Sequence, residues 1–277
     1  MIKIEKDLND IPESLKPAID KYFILPNIIP SYTRTTHEAR MDVINNGAYY
    51  KEKKYDNYYK HDDIKEKLNN IYHHKCAFCE QKVEQVNIEH YRPKKKRGKD
   101  SYAYYWLAFS WDNLIIACPK CNRNKGNKFG IYGIRAEFVN DDNHISNINT
   151  LSSVYDISER PLMVNPEVTN PKDYIKFAQD GKIWSDDERF DYTIKECKIN
   201  RDYLNDERRK IINDLKDDLI AEISLCSTPD GQSKAIEPVI RKFVRGTQNK
   251  LNEFLAFRNH AVKENWIKDI LLEITAV

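Results

Sequence analysis

Two Cys-x-x-Cys pairs lie in the first half of this 277-residue chain. Cys76 and Cys79 form the first pair, and Cys118 and Cys121 form the second. Four thiolates are the usual ligands of a closed tetrahedral zinc site, so we predict a structural Zn²⁺ ion here. The alternative is four reduced thiols buried without a metal. The segment between the pairs is longer than a common zinc ribbon needs, which raises the question of what it holds.

The residues between and behind the cysteines have the types that phosphodiester hydrolysis requires. Such a reaction needs a base for water, a divalent cation for the phosphate, and a group that orients the base. His90 ends the strand-like stretch "VNIEH" and has the pKa range of the base. On a strand its neighbour Glu89 points to the opposite side and could hold a hard cation, with Asn122 as a second oxygen ligand. Asn113 could fix the loop that carries His90. Taken singly, a histidine is more often structural and an asparagine before a helix is more often a cap.

Basic side chains are concentrated around the same segment. The whole chain has 45 Lys and Arg against 43 Asp and Glu, but residues 73–130 have twelve basic against five acidic side chains. This excess is typical of a nucleic-acid site. The residues that we predict to contact nucleic acid are Arg92, Lys94, Lys95, Lys96 and Lys125. The alternatives are a solvated loop for "RPKKKRGK" and a helix-capping role for Lys125. Four aromatic residues could stack on bases, namely Tyr102, Tyr104, Tyr105 and Trp106. Burial of Trp106 and Trp111 in the core is nevertheless the more usual role.

Three regions are predicted along the chain. Residues 1–72 form a polar, mostly helical region that includes "HEARMDVINN" and "HDDIKEKLNNIYHH". Residues 73–135 contain the cysteine knuckles, short strands and one helix. Residues 136–277 begin with extended segments and a hairpin about Asp180-Gly181 and then become helical. Apolar stripes predict two packing faces there. The first stripe comprises Leu204, Ile211, Ile212, Leu215, Leu219 and Ile223, and the second comprises Leu251, Phe254, Leu255, Val262, Ile267, Ile270, Leu271 and Ile274.

Several classes of protein are disfavoured by the composition. The N-terminus carries charges where a secretory signal needs an apolar run, and "YAYYWLAF" is too short to cross a bilayer. We therefore expect a soluble, cytoplasmic protein with no membrane partner, in which cysteine pairs bind metal rather than form disulfides. Cys197 and Cys226 stand alone and are expected to be core thiols. No G-x-x-x-x-G-K-[ST] motif occurs, so the sequence gives no sign of an NTPase.

The order C-x-x-C, E-H-x-x-P, W-x-N-L and C-x-x-C-N-x-x-K-G resembles the zinc-bearing branch of the HNH endonucleases. This resemblance implies an α+β fold with a ββα-metal HNH core and a four-cysteine zinc site, flanked by N-terminal and C-terminal helical regions. It implies that His90 is the general base, Asn113 the middle asparagine, and Glu89 and Asn122 the ligands of a catalytic Mg²⁺. The chain departs from the family at Glu89, where Asp or His is usual, and at Asn122, where His is frequent. Both replacements keep an oxygen ligand that suits Mg²⁺.

A wider resemblance covers most of residues 76–210. "IEHYRPK", "YYWLAFSWDNL", "KGNKF", "PLMVNP", "DGKIW" and "KINRDYLNDER" occur in an order similar to the PtuB-like HNH proteins of Septu and retron-associated anti-phage defence systems. That family works beside a PtuA-like ABC-type ATPase, and in retron systems beside a reverse transcriptase and its RNA–DNA. The resemblance therefore implies an Mg²⁺-dependent effector endonuclease with an ATPase partner.

Three alternatives remain open at the level of the sequence. DNA is the default substrate because this chemistry does not use a 2′-OH, but the retron-linked relatives make transfer RNA an alternative. The chain could also be a zinc-ribbon module that binds nucleic acid without cutting it. A third possibility is a scaffold that joins the ATPase through its C-terminal apolar stripes. None of these alternatives changes the predicted zinc site.

Overall fold

Two amphipathic helices precede the cysteine pairs in the computed structural model, which describes residues 1–16, 36–49, 55–84, 87–95 and 103–275. Helix α1 spans Thr36–Asn46 and helix α2 spans Asp62–Tyr72. In α2 the buried side chains are Ile64, Leu68 and Tyr72, at the four-residue spacing that places them on one face. Both helices coincide with segments that the sequence predicts to be helical.

A small ββα unit follows. Strand β1 (Asn87–His90) pairs antiparallel with strand β2 (Leu114–Ala117), with His90 opposite Leu114 and Asn87 opposite Ala117. All four residues of β2 are buried, as expected for an apolar strand rich in isoleucine. Helix α3 (Pro119–Lys125) follows directly and ends at Gly126, whose φ of +52° favours glycine. The unit places the ends of β1 and α3 beside each other.

The chain then forms two helices and a hairpin. Helix α4 spans Asp142–Ser146 and helix α5 spans Leu151–Glu159. Strands β3 (Lys176–Phe177) and β4 (Ile183–Trp184) form the hairpin. Its turn contains Gly181 at φ +87°, where a Cβ atom would lie 2.0 Å from the backbone oxygen of Asn205. The turn predicted at Asp180-Gly181 is therefore present, and its close contact with the backbone of Asn205 requires glycine.

Five helices complete the fold. They are α6 (Glu188–Glu196), α7 (Asp202–Ser224), α8 (Pro229–Gly246), α9 (Leu255–Lys263) and α10 (Trp266–Thr275). Leu204, Ile212, Leu215 and Leu219 of the first predicted stripe are buried in α7. In the second stripe Leu251 and Phe254 precede α9, and Leu251 is exposed. The other members are divided between α9 and α10, because the chain turns at Asn265 with φ +60°. Helices with two small sheets confirm the predicted α+β class.

Buried apolar side chains from the three predicted regions form one continuous cluster. It includes Leu68 of α2, Ile116 of β2 and Leu219 of α7. The ββα unit therefore packs against residues from both sides of it in sequence. Within the described residues, no helix is long and apolar enough to cross a membrane.

A buried charge network anchors the chain that follows β1 to helix α5. The Arg92 side chain is fully buried. Its Nε donates to Glu159 Oε2 at 2.8 Å, its Nη2 to Asp156 Oδ1 at 2.6 Å, and its Nη1 to Ser152 Oγ at 2.7 Å. Because Glu159 is also fully buried, removal of the guanidinium would leave a carboxylate in the core without its cation.

We expect Arg92→Met to lower the free energy of unfolding by about 3–5 kcal/mol, because it leaves Glu159 and Asp156 without their cation. Urea denaturation measures the change. Arg209→Met is the matched control, since Arg209 pairs with Asp206 at the surface of α7 and exposed pairs contribute about 0–1 kcal/mol. If both variants lose the same small amount, the network does not anchor the loop.

Candidate active site and metal centre

Four thiols meet where the two cysteine knuckles approach each other. The Sγ atoms of Cys76, Cys79, Cys118 and Cys121 all lie within 4.8 Å of one another, and all four residues are buried. The Cys79 and Cys118 sulfurs are 3.8 Å apart. A tetrahedron with Zn–S bonds of about 2.3 Å has edges of about 3.8 Å, so the thiols fit a Zn²⁺ ion. Among the described residues, this is the single group of three or more His, Cys, Asp or Glu side chains placed to hold a metal.

Backbone contacts bring the two knuckles together. In the first knuckle, Ala77 N donates to Ile116 O of β2 at 2.8 Å. In the second, Cys118 is the N-cap of α3, and its Sγ accepts from Cys121 N at 3.4 Å. The ββα unit therefore positions both pairs through β2, which joins the first knuckle by a hydrogen bond and runs directly into the second.

Arg201 extends the thiol centre to the C-terminal region. It precedes helix α7, and its Nη1 lies 3.6 Å from Cys121 Sγ while its Nη2 lies 3.9 Å from Cys118 Sγ. A guanidinium in this position stabilises thiolates. Sequence reasoning did not identify this role, although "KINRDYL" contributed to the family resemblance. The contact joins residues 80 positions apart, which no local pattern reveals.

His90, at the end of β1, is buried and has a defined tautomer. Its Nε2 lies 2.9 Å from the backbone oxygen of Ala108. A carbonyl oxygen only accepts, so Nε2 carries the proton and Nδ1 keeps its lone pair. Burial, reinforced by the positive charge of Lys94, holds the pKa of His90 well below its usual range. The imidazole is therefore neutral at neutral pH, which is the form that can accept a proton.

Asn113 fixes the backbone beside His90. Its Oδ1 accepts from Arg92 N at 2.8 Å and from Ser152 Oγ at 3.3 Å. Its Nδ2 donates to Arg92 O at 3.0 Å and to Leu107 O at 3.2 Å. The backbone oxygen of Asn113 also accepts from Tyr91 N at 2.9 Å. The side chain predicted to hold the His90 loop thus lies against Arg92, two positions after His90, and the Asn113 backbone holds Tyr91.

Glu89 and Asn122 are the residues predicted to bind Mg²⁺. Glu89 is buried, and its Oε1 accepts from Lys125 Nζ at 2.7 Å. Burial raises the pKa of Glu89 above its usual value, and the charge of Lys125 opposes this rise. Asn122 is half-buried in the first turn of α3. A carboxylate and an amide oxygen suit Mg²⁺, which keeps several waters and needs few protein ligands.

A cavity of about 220 Å³ connects these groups. Glu89, His90 and Asn122 all border it, so the alternation along β1 does not separate the first two residues from a common space. Asp56 and Tyr59 form another part of the wall. The Tyr59 ring meets the His90 ring edge-on, with centroids 4.7 Å apart. Sequence reasoning missed both residues because they lie some thirty positions before β1, with no motif around them.

The predicted nucleic-acid contacts divide into three groups. Lys94 and Lys95 border the cavity. Lys96 lies outside the described residues. The predictions for Arg92 and Lys125 disagree with the structure, because both side chains are fully buried. Arg92 is held by carboxylates of α5, while Lys125 Nζ donates to Glu89 Oε1 and, at 2.7 Å, to His90 O.

The aromatic residues after the first knuckle are core residues. Tyr104, Trp106 and Trp111 are all buried. Tyr104 donates its hydroxyl hydrogen to Glu159 Oε1 at 2.7 Å, which adds it to the network around Arg92. Base stacking on Tyr104 and Trp106 is therefore excluded in this structure, and the expected burial of Trp106 and Trp111 is confirmed. Tyr105 is half-buried, and Tyr102 lies outside the described residues.

Comparison with known proteins relates the chain to nucleases. Its residues 76–128 match the family described as HNH endonuclease. The chain is similar to Septu protein PtuB of Bacillus mycoides (strain KBAB4), with 31% identity over 170 residues that cover 57% of this chain and 54% of PtuB. It is also similar to Septu protein PtuA of the same strain, with 23% identity over 206 residues that cover 69% of this chain and 27% of PtuA. No solved structure matches.

These relatives are matched in part only. The chain spans about half the length of PtuB and about a quarter of the length of PtuA. The family match covers a shorter segment, and this segment contains both cysteine pairs, β1, β2 and α3. The similarity to the HNH endonuclease family is thus shown for residues 76–128 of this chain.

Proposed function

We propose that the chain is an Mg²⁺-dependent endonuclease that hydrolyses phosphodiester bonds, with DNA as its substrate. The observation that carries this proposal is the state of His90. Nε2 donates its proton to Ala108 O, which leaves Nδ1 to act as a base. The buried carboxylate of Glu89 borders the same cavity as His90. The family match over residues 76–128 supports the same reaction.

The proposed reaction follows from the positions of these side chains. His90 Nδ1 removes a proton from water, and the water oxygen attacks phosphorus. The bond from phosphorus to the leaving sugar oxygen then breaks, and that oxygen takes a proton from solvent. Mg²⁺ held by Glu89 and Asn122 would neutralise charge on the phosphate and on the leaving oxygen. Asn113 is a positioning residue, since it holds the backbone after His90 without bordering the cavity.

The thiol centre has a structural role in this proposal. Four cysteines saturate a Zn²⁺ ion and leave no open position for substrate or water. Zinc would therefore join the first knuckle, which precedes β1, to the second knuckle at the junction of β2 and α3, while the hydrolytic chemistry takes place at the cavity. Arg201 compensates part of the negative charge of the four thiolates.

We further propose that the nuclease is the effector of an anti-phage defence system and acts with a PtuA-like ATPase subunit. The similarity to Septu proteins PtuB and PtuA of one strain supports this setting. The chain has no nucleotide-binding motif of the G-x-x-x-x-G-K-[ST] type, which is compatible with a separate ATPase. Lys94, Lys95 and Lys96 are the proposed contacts to nucleic acid.

We expect His90→Ala to reduce Mg²⁺-dependent cleavage of plasmid DNA by about 10²- to 10⁴-fold, because the general base is lost. Zinc content and the urea midpoint show whether the variant remains folded. His144→Ala is the control, since His144 pairs with Asp141 in α4 and does not border the cavity. A folded His90→Ala variant that cuts as fast as wild type contradicts the proposed mechanism.

We expect one zinc ion per chain, bound by the four thiols. Cys118→Ser should lose the ion and unfold at a lower urea concentration, because the binding energy of a structural zinc contributes to folding. Elemental analysis and urea denaturation measure the two effects. Cys226→Ser is the control, because Cys226 is not part of the thiol group. Full zinc content in Cys118→Ser would exclude this site.

Expression of the chain with its genomic neighbours tests the substrate and the partner together. On phage challenge we expect new DNA ends that disappear in the His90→Ala variant, because backbone attack by this chemistry needs no 2′-OH. Sequencing of both DNA and RNA ends measures the outcome. New ends in transfer RNA alone would show that the substrate is RNA and not DNA. Co-purification with the ATPase would support the proposed complex, and separate elution would contradict it.

A further inference from the structure

Residues before the family match complete the wall of the proposed active site. Asp56 and Tyr59 border the same cavity as His90 and Glu89, although the match begins at residue 76. Tyr59 belongs to a 3₁₀ turn (Tyr58–Lys60) that packs against His90. The N-terminal region therefore provides an acidic and an aromatic side chain to the cavity.

This wall holds the Lys94 ammonium in a defined position. Nζ lies 3.2 Å from Asp56 Oδ1 and 3.4 Å from the Tyr49 hydroxyl, which itself donates to Asp56 Oδ1 at 3.0 Å. It also lies 3.8 Å from the centroid of the Tyr59 ring and 4.4 Å from that of Tyr49. The Lys94 side chain is 11% exposed. Such a fixed cation differs from a flexible surface lysine, which contacts the phosphates of a nucleic-acid backbone without a defined geometry.

Lys125, which lies beside Glu89, has a different arrangement from Lys94. Its Nζ donates to Glu89 Oε1 and His90 O, both at 2.7 Å, and its side chain is fully buried. An ammonium has three donors, and the contacts of Lys94 Nζ with described oxygens use two of them, at 3.2 and 3.4 Å. The third donor of Lys94 has no described oxygen partner, and Lys94 borders the cavity.

The surrounding charges keep Lys94 protonated at neutral pH. Burial lowers its pKa to about 8, while Asp56 and Glu89 raise it and Lys60 lowers it further. The tyrosine hydroxyls nearby are uncharged because burial raises the pKa of Tyr49 and of Tyr59. A cation in such a poorly solvated site interacts more strongly with a phosphate than one in water does.

We propose that Lys94 is a catalytic residue that contacts a non-bridging oxygen of the scissile phosphate, and that Asp56 is the positioning residue that holds its ammonium. This inference rests on the proposed nuclease function. As the water oxygen bonds to phosphorus and the bond to the sugar oxygen breaks, negative charge grows on the non-bridging oxygens. Lys94 stabilises this charge and keeps all its protons, since His90 accepts the proton of water.

A catalytic lysine and a backbone-tracking lysine have different effects. A lysine that only tracks the backbone contributes to affinity and to its salt dependence. A lysine at the scissile phosphate contributes to the rate of the bound complex. Lys94→Met separates the two roles, because methionine keeps an unbranched apolar chain over the Tyr59 ring and removes the charge.

The test measures single-turnover cleavage of plasmid DNA with Mg²⁺, using the full chain alone and co-expressed with its genomic neighbours. We expect Lys94→Met to slow cleavage by about 10²- to 10³-fold, the usual cost of one oxyanion donor. Its dissociation constant for the same DNA without Mg²⁺ should stay within about threefold of wild type. Lys94→Arg should recover at least about tenfold of the lost rate, because it restores the charge. Added methylammonium should accelerate Lys94→Ala, whose short side chain leaves room for the ion, but should not accelerate wild type.

Asp56→Asn tests the positioning role. It should slow cleavage less than Lys94→Met does, and the double variant should be no slower than Lys94→Met alone, because both changes act on one ammonium. Lys65→Met is the matched control, since Lys65 pairs with Asp62 on the surface of α2. Additive losses in the double variant would overturn the Asp56 assignment.

The outcomes separate this inference from the proposed function. If wild type cleaves and Lys94→Met cleaves equally fast, or binds DNA more weakly by the whole loss in activity, the assignment of Lys94 is wrong and the nuclease proposal stands. If wild type yields no cleavage in either preparation, the proposed function fails and this inference fails with it. Zinc content and the urea midpoint of each variant show that the compared proteins are folded.

Discussion

The geometry of the candidate site depends on the buried side-chain amide of Asn113. An asparagine amide has two donors and two acceptor sites, and here all four are used by Arg92 N, Arg92 O, Leu107 O and Ser152 Oγ. A buried polar group without partners would cost free energy, so these contacts admit few alternative arrangements. The amide holds the residue two positions after His90. The His90 ring is held in turn by Ala108 O, directly after Leu107.

Several basic side chains of residues 73–130 lie in the protein interior and not at its surface. Counting basic residues over 73–130 suggests a strongly positive face, but Lys75, Arg92 and Lys125 are all buried. Arg92 neutralises carboxylates of α5, and Lys125 neutralises Glu89. The excess of positive charge at the surface of residues 73–130 is therefore smaller than the composition implies. A sequence count cannot separate these roles, because burial depends on how distant elements pack.

The parts of the site that the sequence predicts are those encoded by local spacing. The cysteine pairs, the strand ending at His90 and the positions of Asn113 and Asn122 all lie within 47 residues, from Cys76 to Asn122, and the resemblance covers them together. Helices α1 and α2 and the hairpin turn at Gly181 follow from apolar spacing and turn chemistry. The division between α9 and α10 was missed, because an apolar stripe continues across Asn265 and its left-handed backbone conformation leaves no clear signal.

The parts that the sequence does not predict come from outside the ββα unit, and they have a common physical cause. A core of two four-residue strands and one short helix is too small to bury and compensate several charges by itself. Glu159 of α5 neutralises Arg92, Arg201 lies against the thiols, and Asp56 holds Lys94. Each contact links a charge of residues 76–128 to a residue outside them. The flanking regions therefore contribute charged partners to the site, whereas the cysteines alone fix only the backbone around it.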